Sequence, residues 1–262
     1  MQHKFFGTGV ALVTPFDAEE NVDFNGLKKL LAHTAEGVDY FVVQGTTGES
    51  VTTTKQEKAD ILKFVKENNP KNLPIVYGIG GNNTAEVLKT ISETDLSGVD
   101  AILSVSPYYN KPSQEGIFQH YQQIADKSPV PVVLYNVPGR TASNISPQTT
   151  LRLAQHPNII GTKEASGSID QALEIARKKP EDFLLISGDD MLTIPLMALG
   201  ASGVISVMAN SFPVIFKKMV KAALDNDYNT ARKFAHQLHD INPLMYVESN
   251  PVGVKEALRV LN

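Results

Sequence analysis

Short apolar, β-branched runs recur along the chain, each separated from the next by room for one helix. They are Gly9–Val13, Tyr40–Val43, Pro74–Ile79, Ala101–Val105, Val132–Tyr135, Ile159–Lys163, Phe183–Ser187 and Gly203–Val207. None alternates strictly with polar residues, which marks parallel strands covered on both faces rather than strands with one wet face. The segments between them read as amphipathic helices with recognisable starts. Thr54 and Glu57 form a capping box ahead of the apolar face Ile61, Leu62, Phe64 and Val65. Ser168 with Gln171 repeats the signal, and Ser146-Pro147 is a cap followed by the proline that favours a first helical turn. Eight βα units in one chain of this length predict an α/β fold, a closed (β/α)8 TIM barrel. The barrel is expected over residues 1–225. Residues 226–262 then form a C-terminal helical extension, with helical patterns at Asn229–Asp240 and Pro251–Leu261.

Composition narrows the function. With 42% hydrophobic and 20% charged residues, the 262-residue chain has the balance of a well-packed globular protein. It contains no cysteine, so disulfides, thiolate zinc sites and thiol nucleophiles are all excluded. A net charge of -4 gives no global positive field for nucleic acid or an anionic membrane. No secretory pattern follows Met1–Phe6, and no run approaches the roughly 20 apolar residues of a bilayer span. The expected location is cytoplasmic.

In such a barrel the chemistry sits where strands end. The strand ends here carry Gly45-Thr46-Thr47-Gly48, Gly80-Gly81-Asn82, Tyr108-Tyr109, Tyr135-Asn136, Lys163-Glu164 and Ser187-Gly188-Asp189. Hydroxyls dominate, with one lysine and no histidine, a set suited to Schiff-base chemistry rather than metal hydrolysis. Lys163 closes an apolar run, and desolvation there favours the neutral amine that attacks a carbonyl. Position alone also allows a lysine that snorkels to solvent or pairs with Glu164. Tyr135 is placed to move protons, or is a core tyrosine with a satisfied hydroxyl. Gly45–Gly48 is either a plain turn or a carboxylate cradle of N–H groups and hydroxyls. Asp189 or Asp190 reads as a helix N-cap rather than a metal ligand, because adjacent side chains seldom face one ion.

Taken together, GTTGES (45–50), SPYYNKPSQEG (106–116), YNVPGRT (135–141), GTKEASG (161–167), SGDD (187–190) and GVISV (203–207) resemble the dihydrodipicolinate synthase family over essentially the whole chain. That resemblance implies a class I aldolase-type lyase of diaminopimelate and lysine biosynthesis, with pyruvate and aspartate semialdehyde as substrates and no metal or organic cofactor. It implies Lys163 as the Schiff-base residue, Tyr135 for proton transfer, Thr46 as relay and Tyr109 as a tyrosine lent to the neighbouring subunit. Thr47, Gly188 and Ile205 match the lining of the pyruvate site. Arg140 matches the guanidinium that holds the aldehyde's carboxylate, a bidentate task for which its planar fork is suited. A lent tyrosine implies a homo-oligomer, a dimer of dimers in most of the family. Relatives continue past the NPVGVKEAL segment, so the chain looks short at Asn262.

An effector site for lysine is implied at Ser50, Val51, Asn82, Glu86 and Tyr108. Lys55 and Lys58 replace histidines of inhibited bacterial relatives, and both ammoniums can face that pocket, either repelling lysine or holding Glu86 in its place. Two other readings stay open: a pyruvate-dependent sugar-acid aldolase on the same scaffold, and a non-catalytic barrel that binds keto acids.

Overall fold

The computed structural model describes residues 3–261. Its eight strands are β1 (Gly7–Ala11), β2 (Tyr40–Val43), β3 (Ile75–Gly78), β4 (Ala101–Val105), β5 (Val132–Asn136), β6 (Ile159–Glu164), β7 (Leu184–Ser187) and β8 (Gly203–Ser206). They pair in sequence order, all parallel, and β8 closes on β1. The barrel expected from the hydrophobic pattern is therefore the fold. Most strands fall within a residue or two of their sequence reading. The largest shift is in β1, which starts at Gly7 rather than Gly9 because Gly7 and Thr8 pair with Gly203 and Val204 across the closure. Closure is a long-range event that no local pattern encodes.

Residues alternate between two apolar compartments, which is why the runs are apolar throughout. Tyr40, Val42, Val76, Leu103, Val133, Leu184, Ile186 and Ile205 pack in the lumen. Val10, Phe41, Val43, Ile75, Ile102, Leu134, Leu185 and Val204 pack outward against the helices. Each such side chain contributes about 1.5–3 kcal/mol by burial. The lumen is filled, not hollow: the Tyr40 ring lies where a Cβ on Gly9 would stand, 2.2 Å from its nearest atom. Only glycine at position 9 admits that ring.

The helices begin where their caps predict. Thr54 and Glu57 complete the capping box of helix Lys55–Glu67. Ser146 and Ser168 each accept a backbone N–H at the start of Pro147–Leu153 and Ile169–Lys178. Helix Tyr228–Leu238 packs on Pro213–Leu224, and the chain ends with Val252–Leu261. Between these last two helices the chain passes through Asn250, whose side chain reaches back to the barrel mouth. Among the described residues, no helix is long and apolar enough to cross a membrane.

Candidate active site

Strand register assembles the site. Val105 stands opposite Tyr135, Tyr135 opposite Lys163, and Lys163 opposite Ile186. Residues paired this way share a face, so these four form one inward layer at the C-terminal mouth. Lys163 is 5% exposed and Tyr135 is 6% exposed. The Lys163 amine lies 4.4 Å from the centroid of the Tyr135 ring.

Two devices fix the lysine. Gly188 leaves it room: a Cβ at 188 would lie 3.0 Å from both Cγ and Cε of Lys163. Glu164 anchors the strand end from the other face. Its buried carboxylate accepts from Asn136 at 3.1 and 3.3 Å, from the Ser166 N–H at 2.7 Å and from Gln171 at 2.9 Å. Its carbonyl accepts the Gly188 N–H at 2.8 Å. The Lys163–Glu164 pairing that position alone allowed is therefore replaced by a clamp on Asn136, Ser166 and Gln171.

The Gly45–Gly48 turn lies beside this layer, at the end of β2. The N–H groups of Gly48 and Glu49 close onto the carbonyls of Gly45 and Thr46. Among the described residues, no backbone acceptor takes the N–H groups of Thr46 and Thr47. Those two donors, with the half-buried Thr46 and buried Thr47 hydroxyls, suit a small carboxylate. Ile205 is buried in the lumen on β8. Arg140 lies on the one-turn helix Pro138–Thr141 after β5, largely exposed.

One residue that the sequence reading missed links these parts. Asn250 donates from Nδ2 to Thr47 Oγ1 at 3.0 Å, and its carbonyl accepts from Arg140 Nη2 at 3.4 Å. Its Oδ1 is buried without a partner. The Asn-Pro step before the last helix was the available signal, a turn dipeptide rather than a helix start. Tyr246 is close by. Burial chiefly holds its phenol above the ordinary range; the charges of Asp190 and Asp189 and the Tyr135 phenol act the same way, and Arg140 opposes them.

The two aspartates diverge. Asp189 accepts from the Met191 and Leu192 N–H groups at 2.9 and 3.1 Å in the turn ahead of helix Thr193–Ala198, whose N-cap is Leu192 and carries no side-chain cap bond. Asp190 does not cap that helix. It reaches across to the end of β8, where Oδ2 accepts from Val207 at 3.1 Å and Met208 at 2.8 Å. Burial raises its pKa to about 6, against the bonds from Met208 and Ser206. Among the described residues, no group of three or more His, Asp or Glu is placed to hold a metal ion.

The remaining candidates lie outside the pocket. Tyr109 is 82% exposed on a left-handed backbone at φ 77°, and Val51 is also 82% exposed. Asn82 donates to the Tyr108 carbonyl at 3.2 Å, which joins two of the effector positions. Ser50 is half-buried at the edge of the turn, and Glu86 is exposed on helix Thr84–Glu93. Lys55 pairs with Glu93 at 2.5 Å, so its ammonium is held by Glu93 instead of Glu86. Lys58 is half-buried; burial lowers its pKa and Glu57 opposes that.

Comparison with known proteins gives a consistent result. The model of the dihydrodipicolinate synthetase family matches residues 4–262. A 4-hydroxy-tetrahydrodipicolinate synthase of Cytophaga hutchinsonii is 53% identical over 260 residues, covering 99% of this chain and 88% of that protein. The crystal structure of dihydrodipicolinate synthase from Aquifex aeolicus superposes with a TM-score of 0.92 at 40% identity, over 97% of this chain and 87% of that one. That of the Cyanidioschyzon merolae enzyme with lysine bound gives 0.95 at 39% identity, over 99% and 89%.

Proposed function

This chain belongs to the dihydrodipicolinate synthetase family, and from that premise we propose that it condenses pyruvate with L-aspartate 4-semialdehyde to 4-hydroxy-tetrahydrodipicolinate. The Lys163 amine attacks the ketone carbon of pyruvate, and loss of water leaves an imine. Removal of a methyl proton gives the enamine, whose carbon adds to the aldehyde; the new alkoxide takes up a proton. The substrate's own amino group then attacks the imine carbon, closing the ring and releasing Lys163.

Tyr135 moves the protons, with Thr46 as relay. Thr47, Gly188 and Ile205 line the pyruvate site, and Arg140 receives the aldehyde's carboxylate. The observation that carries this reading is the Lys163–Tyr135 pair, buried side by side at the mouth with the amine 4.4 Å from the ring centroid. A barrel that merely bound keto acids would need neither a buried amine nor a phenol beside it. The exposed Tyr109 completes a neighbour's relay in the same proposal, in a cytoplasmic homo-oligomer built as a dimer of dimers.

Borohydride reduction in the presence of pyruvate, followed by peptide mass mapping, tests the mechanism. A single adduct on Lys163 is expected. An adduct on another lysine, or none, overturns it. Activity on sialic acid in place of aspartate semialdehyde would instead assign the chain to a sugar-acid aldolase.

A further inference from the structure

Gln44 is an anomaly of this fold. It follows β2, is 2% exposed, and adopts φ 57°, a left-handed conformation that residues with a Cβ rarely take. Its backbone is held there from two sides. A Cβ on Gly78 would lie 2.0 Å from the Gln44 carbonyl oxygen, and one on Gly48 would lie 3.2 Å from the Gln44 Cα. The chain thus keeps a strained, bulky residue where glycine would fit, which directs attention to its side chain.

The Gln44 amide sits at the centre of a buried network under the Thr46–Thr47 turn. Nε2 faces the Gly48 carbonyl at 3.4 Å and Thr14 Oγ1 at 3.3 Å. Oε1 accepts from Thr53 Oγ1 at 2.9 Å. Thr14 itself donates to the Gly48 carbonyl at 2.7 Å. Because that carbonyl can only accept, the amide nitrogen must face it, and Thr53 satisfies the oxygen on the other side. Gln44 therefore ties the last residue of the turn to Thr14 after β1 and to Thr53 before the next helix. The turn between these ties is the one whose Thr46 and Thr47 N–H groups no backbone acceptor takes up, among the described residues.

We propose that Gln44 is a positioning residue that holds the Thr46–Thr47 turn in register to receive the carboxylate of the keto-acid substrate. It acts through the turn and touches neither the substrate nor Lys163. The proposal rests on the reading of this turn as the pyruvate carboxylate site.

Two variants separate the amide from the backbone. Gln44→Gly relieves the left-handed conformation and removes the amide. Gln44→Met keeps the volume and removes only the polar atoms. In an enzyme that binds its substrates one after the other, kcat/KM for each reports its own half-reaction. Both variants are expected to lose about tenfold or more in kcat/KM for pyruvate, and less than threefold for aspartate semialdehyde. Gln44→Gly should do so without a fall in Tm. A wild-type kcat/KM for pyruvate in Gln44→Gly would show that turn backbone alone suffices, and overturns the proposal. So would equal losses for both substrates. Should either variant fail to fold, Thr53→Val, which strips the amide oxygen of its donor, carries the same comparison and the same overturning results. Borohydride trapping of pyruvate on the wild-type chain distinguishes the two levels. No adduct there refutes the aldolase reading itself, whereas equal adduct in wild type and variants at subsaturating pyruvate refutes only the role of Gln44.

Discussion

Replacing Gly188 with alanine puts one methyl group into the space that Lys163, the proposed Schiff-base residue, occupies. The added Cβ would lie 2.6 Å from the Ala165 Cβ and 3.0 Å from Cγ and Cε of Lys163. Carbon atoms settle at about 3.5–4.0 Å, so relief needs about 0.5–1 Å of movement from the lysine stem and about 0.9–1.4 Å from Ala165. The backbone at 188 is poorly placed to supply it. Its N–H is bonded to the Glu164 carbonyl at 2.8 Å, and the next residue is held by the Ser187 hydroxyl at 2.8 and 3.3 Å. Ala165 is fixed in turn by its N–H to Asn136 at 2.8 Å. Both neighbours must yield, and the lysine stem is the more flexible of the two. Overpacking of this kind costs about 1–3 kcal/mol of stability. A misplacement near 1 Å at a reacting group costs on the order of 100-fold in rate. Gly188→Ala should thus lose about 10- to 100-fold in kcat/KM for pyruvate and in the rate of borohydride trapping, with Tm lower by only a few degrees. Thermal unfolding run beside steady-state kinetics checks both. A variant within twofold of wild type in kcat/KM would refute the claim that Gly188 exists to seat Lys163.

Arg140→Ala should leave pyruvate trapping on Lys163 intact while kcat/KM for aspartate semialdehyde falls by about 2–5 kcal/mol in transition-state terms; unchanged kinetics would move the assignment to a sugar-acid aldolase. Asp190 holds its proton to about pH 6 when folded, against about 3.9 in an unfolded chain. Its contribution thus favours the native state below about pH 4 and is lost as pH rises through 6, on the order of 3 kcal/mol in all. Urea unfolding of wild type and Asp190→Asn from pH 4 to 8 should show the wild type losing ground to the variant across that window, and a constant difference refutes it. L-lysine should inhibit weakly or not at all, because the half-buried Lys58 adds positive charge near the face where a ligand with two ammoniums and one carboxylate would have to bind, while Lys55 is paired with Glu93. Half-inhibition well below a millimolar in the steady-state assay would refute this.

The barrel was legible because its determinants are local. A strand buried on both faces must be apolar throughout, and a helix packed on it must be apolar on one face, so eight of each leave an alternating record. Helix starts were legible for the same reason: Thr54 and Glu57, three residues apart, cap each other, and Ser168 accepts the Gln171 N–H, although the Gln171 side chain turns to Glu164 instead of completing a box. What the pattern could not carry is pairing between distant strands. The start of β1 depends on β8, nearly two hundred residues away, and the apolar stretch Leu12–Val13 continues past the strand into the helix-facing core.

The site divides along the same line. Lys163 stood out because a charge inside an apolar run is an anomaly visible in five residues, and Tyr135 because its strand precedes it in the sheet. The groups that hold these two in place were illegible, each for a separate physical reason. Gln44 carries no signature, since a left-handed backbone at a residue with a Cβ is imposed by the packing of Gly78 and Gly48 around it. The cap expected of Asp189 or Asp190 does not form, because Asp189 bonds the turn before the helix and Asp190 faces the end of β8, which only the fold shows. Asn250 was hidden by distance: its partner Thr47 lies 203 residues earlier. That last contact also changes the meaning of the C-terminal helices. They read from sequence as packing on a finished barrel. Yet Asn250 bonds Thr47 through its side chain and Arg140 through its carbonyl, so one residue of the tail spans the groups assigned to the two substrates' carboxylates. On the proposed assignment the barrel supplies the amine and the phenol, while Asn250, outside it, bridges the residues proposed for the two carboxylates.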